Sequence, residues 1–315
     1  MKRIAIDHLP VGTVGTALTL GNFDGVHRGH QAMLEQLVRE AGERGLVPTV
    51  LTFEPYPREF FEGVSAPPRL TSLTRKYLWM KQMGVDQVRV LRFNAALAAL
   101  PAADFVRRVL VQGFSARWVL VGDDFRFGNR RQGDFSLLRE MGRTLGFECA
   151  AMQSVRIGGE RVSSSAIRAC LDAGDLTRAA ALLGRHFSLV GRVGYGHQLG
   201  RTLGFPTLNL ALRHRPPLAG VFVVEVCGPA PHPLSGVASL GHRPTVNPLD
   251  APLLEVHLFD FGQTIYGQRV EVRFLHKLRD ERHFSNTDQL VAQMQADAAA
   301  ARAYFAQQSL IQDAS

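Results

Sequence analysis

Short apolar runs alternate with amphipathic stretches along the first half of the chain. Strand-like apolar runs occur at residues 17–20, 49–53, 87–91, 118–121 and 147–152. Apolar positions with helical spacing lie between them, at about 31–44, 71–83, 102–112 and 134–145. Regular alternation of strands and helices is typical of a parallel sheet covered by helices on both faces. The pattern therefore predicts a Rossmann-like α/β domain, in which ligands bind at the carboxyl ends of the strands.

The second half of the chain has a different pattern. Two short helical segments at 164–171 and 175–183 come first, and Asp175 is placed to cap the second. Strand-like runs then follow one another without an intervening helical pattern, at 188–193, 220–227, 234–240, 253–261 and 269–275. This pattern favours an antiparallel barrel or sandwich, which a long helix at about 287–307 closes. We therefore predict two domains, at residues 1–184 and 185–315.

Bulk composition narrows the class of protein. A chain of 315 residues with 46% hydrophobic residues can bury a core in each of two domains. No apolar run approaches the roughly 20 residues that a membrane span needs, and the N-terminus lacks the apolar region of a secretory signal. The three cysteines, Cys149, Cys170 and Cys227, have no metal or redox spacing. We expect reduced thiols in a cytoplasmic protein.

The net charge of +8 raises the question of a nucleic-acid partner. Only four of the 36 basic residues are lysines, and the arginines are dispersed in short clusters such as Arg107-Arg108. Neither a basic stripe nor interleaved aromatic residues are visible, so nucleic acid is not favoured as the main ligand. A solvated face with a few phosphate-binding arginines explains the charge equally well. The sequence predicts no particular oligomeric state.

The segment 21–30 carries the strongest chemical signal in the first half. It bears three glycines and the histidines His27 and His30, between a predicted strand and the start of a predicted helix. Backbone N–H groups and the helix dipole favour an anion at such a point, so a triphosphate fits there. The two histidines are three residues apart and project from one helical face if the first turn includes them. Two imidazoles at this position suit a phosphate transition state better than a metal.

Four further motifs have both a chemical and a structural interpretation. Residues 163–168 can hold phosphate through serine hydroxyls and Arg168, or the serines only cap a helix. Residues 122–128 and 53–57 each follow a predicted strand, where they are candidate edges of the ligand cleft, and 53–57 is also compatible with a proline-stiffened loop. The segment 191–204 contains five glycines, which suits a phosphate loop or a bulged hairpin. A lone strand glutamate such as Glu255 is usually solvated.

Three motifs of the first half together resemble the nucleotidyltransferase superfamily. They are 21–30, 122–128 and 163–168, and they are most similar to the N-terminal module of bacterial bifunctional riboflavin kinase/FAD synthetases. His27-Arg28-Gly29-His30 resembles the HxGH element of that family, and 163–168 resembles its SSTxIR element. Ser165 replaces the usual threonine and keeps the hydroxyl. Tyr56 stands where the family usually has histidine, so the resemblance does not carry a flavin contact over to it.

The second half resembles the flavokinase module of the same family. Residues 204–209 resemble its PTxN element, and 254–261 resemble the strand that bears its glutamate. Tyr266-Gly267, residues 278–281 and Phe284 match the elements that follow. The resemblance extends from about residue 15 to 306. The two sets of motifs appear in the order expected for that family, one on the alternating strand–helix half and the other on the strand-rich half. A chance similarity is therefore a poor explanation.

The resemblance implies two ATP-dependent reactions and a set of residue roles. Riboflavin is phosphorylated to FMN in the C-terminal domain, and FMN is adenylylated to FAD with release of pyrophosphate in the N-terminal domain. The implied catalytic residues are Glu255, His27 and His30. The implied ATP-binding residues are Gly21, Phe23, Asp24, Gly25, Ser164, Ser165, Arg168, Gly194, Gly200 and Asn209. Mg²⁺ would be held by Thr207 and Asn209, and flavin by Asp124, Arg279 and Glu281.

Two other functions remain as alternatives at this point. A nucleotidyltransferase could act on a different phosphate acceptor, such as a pantetheine- or nicotinamide-type phosphate. A flavin- or nucleic-acid-binding regulator would bind ligands without turnover. The β-rich second half, with Pro206-Thr207-Leu208-Asn209 and Glu255, speaks against a different acceptor. Two phosphate-binding loops on two domains speak against a regulator, which has no need of them.

Overall fold

The computed structural model describes residues 3–4, 9, 14–195, 203–212, 214–241 and 252–313. The chain divides into two compact units. The first comprises Met1–Pro67 and Thr71–Ser164, and the second comprises Pro68–Leu70 and Ser165–Ser315. This division assigns residues 165–184 to the second unit, whereas the sequence pattern places the boundary after residue 184. The boundary at 184 stays a prediction, and each unit is described by itself.

A six-stranded parallel sheet forms the centre of the first unit. Its strands are β1 (Arg3–Ile4), β2 (Thr16–Leu20), β3 (Val47–Glu54), β4 (Gln87–Arg92), β5 (Ala116–Gly122) and β6 (Glu148–Met152). Their order is β1-β4-β3-β2-β5-β6, and every neighbouring pair is parallel. The predicted parallel sheet is confirmed, and β1 adds a strand that the apolar pattern did not indicate. The strand order reverses between β2 and β5, which is where such sheets bind ligands.

Helices cover both faces of this sheet, as predicted. They are α1 (Arg28–Arg44), α2 (Pro57–Glu62), α3 (Leu73–Gln82), α4 (Ala95–Ala98), α5 (Ala102–Asp104, continued as a π-helix over Phe105–Gly113) and α6 (Phe135–Leu145). One apolar cluster joins Leu34 of α1 to Val50 of β3. A second cluster joins Leu138 of α6 to Leu51, the next residue of β3. Successive strand side chains point to opposite faces, so the two clusters lie on the two sides of the sheet.

A small hairpin follows the sheet. It consists of β7 (Arg156–Ile157) and β8 (Glu160–Arg161), which pair antiparallel. Its turn residues Gly158 and Gly159 have φ values of +58° and +82°. Two adjacent left-handed residues are the requirement of a tight type I′ hairpin turn, which glycine meets without steric cost. The strands are too short for the apolar pattern to predict them.

A closed antiparallel barrel forms the centre of the second unit. Two helices precede it, α7 (Ser164–Asp172) and α8 (Leu176–Leu183). The barrel strands are β9 (Ser188–Gly194), β10 (Thr207–Ala211), β11 (Gly220–Cys227), β12 (Leu234–Gly241), β13 (Leu253–Leu258) and β14 (Arg269–Arg279). They close in the order β10-β13-β12-β11-β14-β9. The predicted barrel is confirmed, with β10 as a strand that the pattern did not indicate.

The ends of the helices in the second unit follow local signals. Asp175 caps α8 by accepting the Arg178 N–H at 2.9 Å, as predicted, and Gly184 ends it with a φ of 77°. The long helix α9 (Thr287–Asp313) packs against β11, β12 and β14. It runs beyond the predicted end at 307. In the described part of the chain, no helix is long and apolar enough to cross a membrane.

Candidate active sites

The loop between β2 and α1 has an unusual backbone. Phe23, Gly25 and Val26 have φ values of 49°, 87° and 40°, all in the left-handed region. Glycine adopts this region freely, but a β-branched residue such as Val26 does so rarely. Phe23 and Val26 are 2% and 1% exposed, so the core holds both side chains. Strained backbone of this kind persists only where surrounding contacts determine it, and it is typical of functional loops.

The structure brings His27 and His30 together at the start of α1. Their rings stack with centroids 3.6 Å apart and an interplanar angle of 14°. His27 is the N-cap of α1, and its Nδ1 accepts the His30 N–H at 3.3 Å. Because Nδ1 accepts a hydrogen bond, a neutral His27 carries its proton on Nε2 and can donate it to a ligand. The two imidazoles therefore lie at the positive end of the helix, as their spacing predicted.

Asp24 is a buried anchor of the same loop. It is 3% exposed, and its Oδ1 accepts the Thr71 N–H at 3.1 Å and the Tyr56 hydroxyl at 3.3 Å. The Asp24 carbonyl oxygen accepts the Ser164 hydroxyl at 2.8 Å. The structure thus joins two of the predicted ATP-binding residues, Asp24 and Ser164. Gly21, at the start of this loop, donates its N–H to the Leu51 carbonyl oxygen at 3.1 Å.

Sequence reasoning missed the buried lysine below this loop. Lys76 of α3 is 1% exposed, and its Nζ lies 2.6 Å from the Asn22 carbonyl oxygen. The same ammonium donates to Thr52 Oγ1 and to Tyr56 Oη, each at 3.2 Å. The sequence signal for its burial was its position four residues before Met80, which places both residues on the buried side of the helix.

The remaining predicted residue of the first unit, Asp124, lies at the surface. The exposed carboxylate of Asp124 accepts a hydrogen bond from Arg161 of β8 at 2.5 Å, and this bond raises the pKa of Arg161. In the neighbouring Asp123, hydrogen bonds from Ser154 hold the carboxyl pKa below its usual value. Carboxylates and an arginine therefore line the loop after β5, beside the point where the strand order reverses.

Two predicted phosphate-binding residues lie on α7. Ser165 is exposed in the first turn of this helix. Arg168, one turn later, donates from Nε to the Pro68 carbonyl oxygen at 2.6 Å. At least one of its donors is therefore used within the protein. Their predicted roles in ATP binding stay predictions.

Strand register aligns the predicted kinase residues in the barrel. Asn209 of β10 lies opposite Gly194 of β9 on one side and opposite Glu255 of β13 on the other. Glu255 in turn lies opposite Ser239 of β12. Directly paired residues of neighbouring strands share a face of the sheet. Gly194, Asn209 and Glu255 therefore form one cross-strand row, whereas Gly200 lies outside the described residues.

Glu255, at one end of this row, lines a cavity of about 280 Å³. Thr207, Ser239, Glu255 and His257 are among the residues that line it, and Glu255 is exposed there. His257, two residues after Glu255 on β13, also lies in the cavity wall. Its Nδ1 lies 3.0 Å from the Pro206 carbonyl oxygen. A carbonyl only accepts, so Nδ1 of His257 carries a proton.

Asn209 presents a buried acceptor beside this cavity. The residue is 6% exposed, and its Nδ2 donates to the Thr207 carbonyl at 3.3 Å. Its Oδ1 is buried and has no hydrogen-bond partner among the described residues. A buried amide oxygen without a partner is costly and suits a bound cation or donor. The described residues contain no group of three or more histidines, cysteines or acids that could hold a metal.

Arg279 and Glu281 lie in the same cavity wall, where both are engaged with the protein. The Arg279 guanidinium makes a bidentate pair with Asp297 of α9, with Nε–Oδ1 and Nη2–Oδ2 distances of 2.9 and 2.7 Å. The Glu281 carboxylate packs so closely on Gly241 that a Cβ there would collide with it. The Asp297 pair fixes the C-terminal helix to the end of β14. Contacts of Arg279 and Glu281 with flavin stay predictions.

Comparison with known proteins matches a different family model to each half of the chain. A family model for FAD synthetase matches residues 11–166, and one for riboflavin kinase matches residues 183–305. A bifunctional riboflavin kinase/FMN adenylyltransferase from Escherichia coli strain K12 is 45% identical over 92% of this chain and 93% of its own. The protein of that description from Pseudomonas fluorescens is 47% identical, over 93% of this chain and 94% of its own.

A solved structure has the same fold over nearly the whole length. It comes from Streptococcus pneumoniae and is described as a macrolide-efflux protein. It is 29% identical, with a TM-score of 0.78, and the match covers 94% of this chain and 97% of that chain. The two matched family models and the full-length relatives favour the bifunctional enzyme over both alternatives. The chain therefore belongs to the family of bifunctional riboflavin kinase/FMN adenylyltransferases.

Proposed function

We propose that Glu255 is the general base of the riboflavin kinase reaction and that His27 and His30 stabilise the adenylyl-transfer transition state. The enzyme transfers a phosphoryl group from ATP to riboflavin, which gives FMN and ADP. It then transfers an adenylyl group from a second ATP to FMN, which gives FAD and pyrophosphate. Two observations carry the proposal: Glu255 is exposed in the wall of the barrel cavity, and the two imidazoles stack at the start of α1.

The kinase reaction needs a group that orients the ribityl hydroxyl and accepts its proton. Glu255 projects into the cavity from a β-strand that neighbouring strands hold on both sides. Phosphoryl transfer has a loose transition state, so catalysis depends on positioning and on charge stabilisation. A carboxylate on a rigid strand meets the first need, because little entropy is lost in placing it. The proton of the attacking hydroxyl passes to a carboxylate oxygen of Glu255.

The residues beside Glu255 fit a Mg²⁺–ATP complex. Asn209 Oδ1 is a buried oxygen without a partner in the described part, and the Thr207 side chain lies in the cavity wall. Mg²⁺ prefers oxygen ligands and usually retains waters and phosphate oxygens beside one or two protein groups. Thr207 and Asn209 would hold the ion, which would neutralise charge on the phosphates. Gly194, opposite Asn209, leaves room for the nucleotide because it has no side chain.

Removal of the Asn209 amide should change the metal requirement of the kinase reaction. We expect Asn209→Ala to raise the Mg²⁺ concentration for half-maximal FMN formation about tenfold, in line with the loss of a ligand group. The Mg²⁺ dependence of FAD formation from supplied FMN should not change, because that reaction belongs to the other unit. Mg²⁺ titrations of both activities in one preparation test this prediction. An unchanged Mg²⁺ dependence of FMN formation would remove Asn209 from the metal site.

Adenylyl transfer requires no base from the protein. The FMN phosphate is already an anion, and it attacks the α-phosphorus of ATP while pyrophosphate leaves. The protein must reduce the repulsion between two phosphates and stabilise charge on the leaving group. His27 can donate from Nε2, because its Nδ1 is used by the His30 N–H. The α1 N-terminus adds backbone donors and a positive dipole at the same point.

A time course with substrates tests the overall assignment. Incubation of the purified protein with riboflavin, ATP and Mg²⁺, followed by separation of the flavins, should show FMN first and FAD later. Supplied FMN should yield FAD and pyrophosphate without a lag. Ligand binding without turnover, or turnover of another phosphate acceptor in preference to FMN, would contradict the proposal.

The cellular setting follows from the cysteines. None of the three forms a disulfide in the described part of the chain, and burial raises the pKa of the Cys149 thiol, which keeps it in the less reactive protonated form. Cysteines that are odd in number and form no disulfide are typical of a reducing compartment. We place the enzyme in the cytoplasm on this ground.

A further inference from the structure

A buried ammonium lies directly under the loop that leads to His27. Lys76 projects from α3 and is 1% exposed. Its Nζ donates to the Asn22 carbonyl oxygen, Thr52 Oγ1 and Tyr56 Oη, at 2.6, 3.2 and 3.2 Å. An ammonium has three protons, and these acceptors can use all of them. A lysine is rarely buried so completely, and the proposed reaction mechanism leaves it without a role.

A second path leads from Lys76 to the loop through a tyrosine. The ammonium can only donate, and the Asp24 carboxylate accepts. The Tyr56 hydroxyl lies between them, 3.2 Å from Lys76 Nζ and 3.3 Å from Asp24 Oδ1. It therefore accepts from Lys76 and donates to Asp24. Lys76 acts on the loop twice, at Asn22 directly and at Asp24 through Tyr56.

The two attachment points flank a strained residue. Phe23 lies between Asn22 and Asp24 and has a φ of 49°, and Val26 has a φ of 40°. Such backbone would relax toward ordinary conformations if its neighbours were free to move. Relaxation at Phe23 would displace the following residues up to the N-cap of α1, which is His27. The hydrogen bonds from Lys76 and Tyr56 oppose that relaxation.

We propose that Lys76 is a positioning residue for adenylyl transfer. Its ammonium, with Tyr56 as a relay, holds residues 22–26 in the strained conformation that places His27 and His30. This inference rests on the proposed role of the two histidines. It also assigns a role to Tyr56, which is 5% exposed and directs its hydroxyl to Lys76 and Asp24. Tyr56 supports the phosphate loop from within the protein.

Replacement of Lys76 tests the proposal, because methionine has a similar length and no donors. For Lys76→Met we expect kcat of FAD formation from FMN to fall about tenfold or more, since small misplacements of catalytic groups have effects of this size. The KM for FMN should stay within about threefold, because this loop carries residues predicted to bind ATP rather than FMN. Riboflavin kinase activity of the same chain should be unchanged. Rates are measured well below the unfolding temperature, where a purely stabilising residue would leave kcat unaltered.

Lys81→Met is the matched control. Lys81 lies on the same helix, is exposed, and donates to the Asp86 carbonyl oxygen at the protein surface. Its replacement should leave both activities unaltered. An unchanged kcat for Lys76→Met overturns the proposal. An equal loss in Lys81→Met, or an equal loss of kinase activity, also overturns it, because the effect would then be general.

Tyr56→Phe keeps the test decisive if Lys76→Met does not fold. It removes one oxygen atom, and we expect kcat of FAD formation to fall about fivefold or more through the loss of the relay. The double variant should lose no more than Lys76→Met alone, because both residues act through one chain of hydrogen bonds. An unchanged Tyr56→Phe enzyme, or independent losses in the double variant, overturns the proposal. If His27 and His30 variants keep full activity, the proposed function has failed instead.

Discussion

Glu255→Gln should abolish FMN formation and leave FAD formation intact. The amide keeps the size of the side chain and its place on β13, but it does not accept the proton of the ribityl hydroxyl. We expect the riboflavin kinase rate to fall about 10²- to 10⁴-fold, the range for loss of a general base. FAD formation from supplied FMN should stay within about twofold, because His27 and His30 belong to the other unit. Separate assays with riboflavin and with FMN measure both rates in one preparation.

Glu225→Gln provides the matched control for this prediction. Glu225 lies on β11 of the same barrel and is not among the residues that line the cavity. Its replacement should leave both rates close to those of the parent enzyme. Substantial kinase activity in a folded Glu255→Gln enzyme would remove Glu255 from the role of base. A parallel fall of both activities without unfolding would equally contradict the assignment.

Replacement of the two histidines should have the converse effect. His27→Asn retains an oxygen acceptor for the His30 N–H, because asparagine is a good N-cap residue, but it removes the imidazole. His30→Ala removes the second ring of the stack. Each change should lower the rate of FAD formation about 10²- to 10³-fold, as for loss of one preorganised donor to a transition-state anion. FMN formation from riboflavin should be unchanged.

The histidine prediction is measured as pyrophosphate release from ATP and FMN. Arg39→Ala, on the exposed side of α1, serves as the control and should be neutral. The comparison of His27→Asn with His27→Ala separates the cap from the chemistry. Loss of the cap alone costs about 1 kcal/mol of stability, so only the alanine variant should unfold at a lower temperature. A fully active His27→Asn enzyme would show that the cap, rather than the ring, is what matters.

Most secondary structure could be predicted from the sequence because its causes are local. Apolar spacing of about 3.6 residues indicated α1, α3 and α6, and apolar runs indicated β2 to β6. The apolar pattern missed β10, since this strand directly follows a glycine- and proline-bearing segment and spans only Thr207–Ala211. Its place in the barrel depends on pairing with β9 and β13. Cross-strand pairing of this kind is a long-range property that no local window contains.

The site shows the same division between local and long-range causes. The spacing of His27 and His30 and the glycines around them were sufficient to predict a phosphate-binding helix start, because the physics is that of one loop and one helical turn. The place of Glu255 on a strand was also predictable. Its neighbours in space, Asn209 and Ser239, come from strands β10 and β12 of the closed barrel. Only the barrel register brings them together.

Burial decided the roles that a linear pattern cannot assign. From the sequence, Lys76 is indistinguishable from an ordinary solvated helix lysine. In the structure its ammonium is buried away from water. The sequence indicates no partner for Arg279, whereas in the structure Asp297 of α9 lies against it. The order of amino acids was enough to predict the fold classes of the two halves and to indicate two candidate phosphate-binding motifs, because short-range periodicity and spacing encode them. Which polar groups are left for ligands was settled by tertiary packing, since it depends on contacts between residues far apart in the chain.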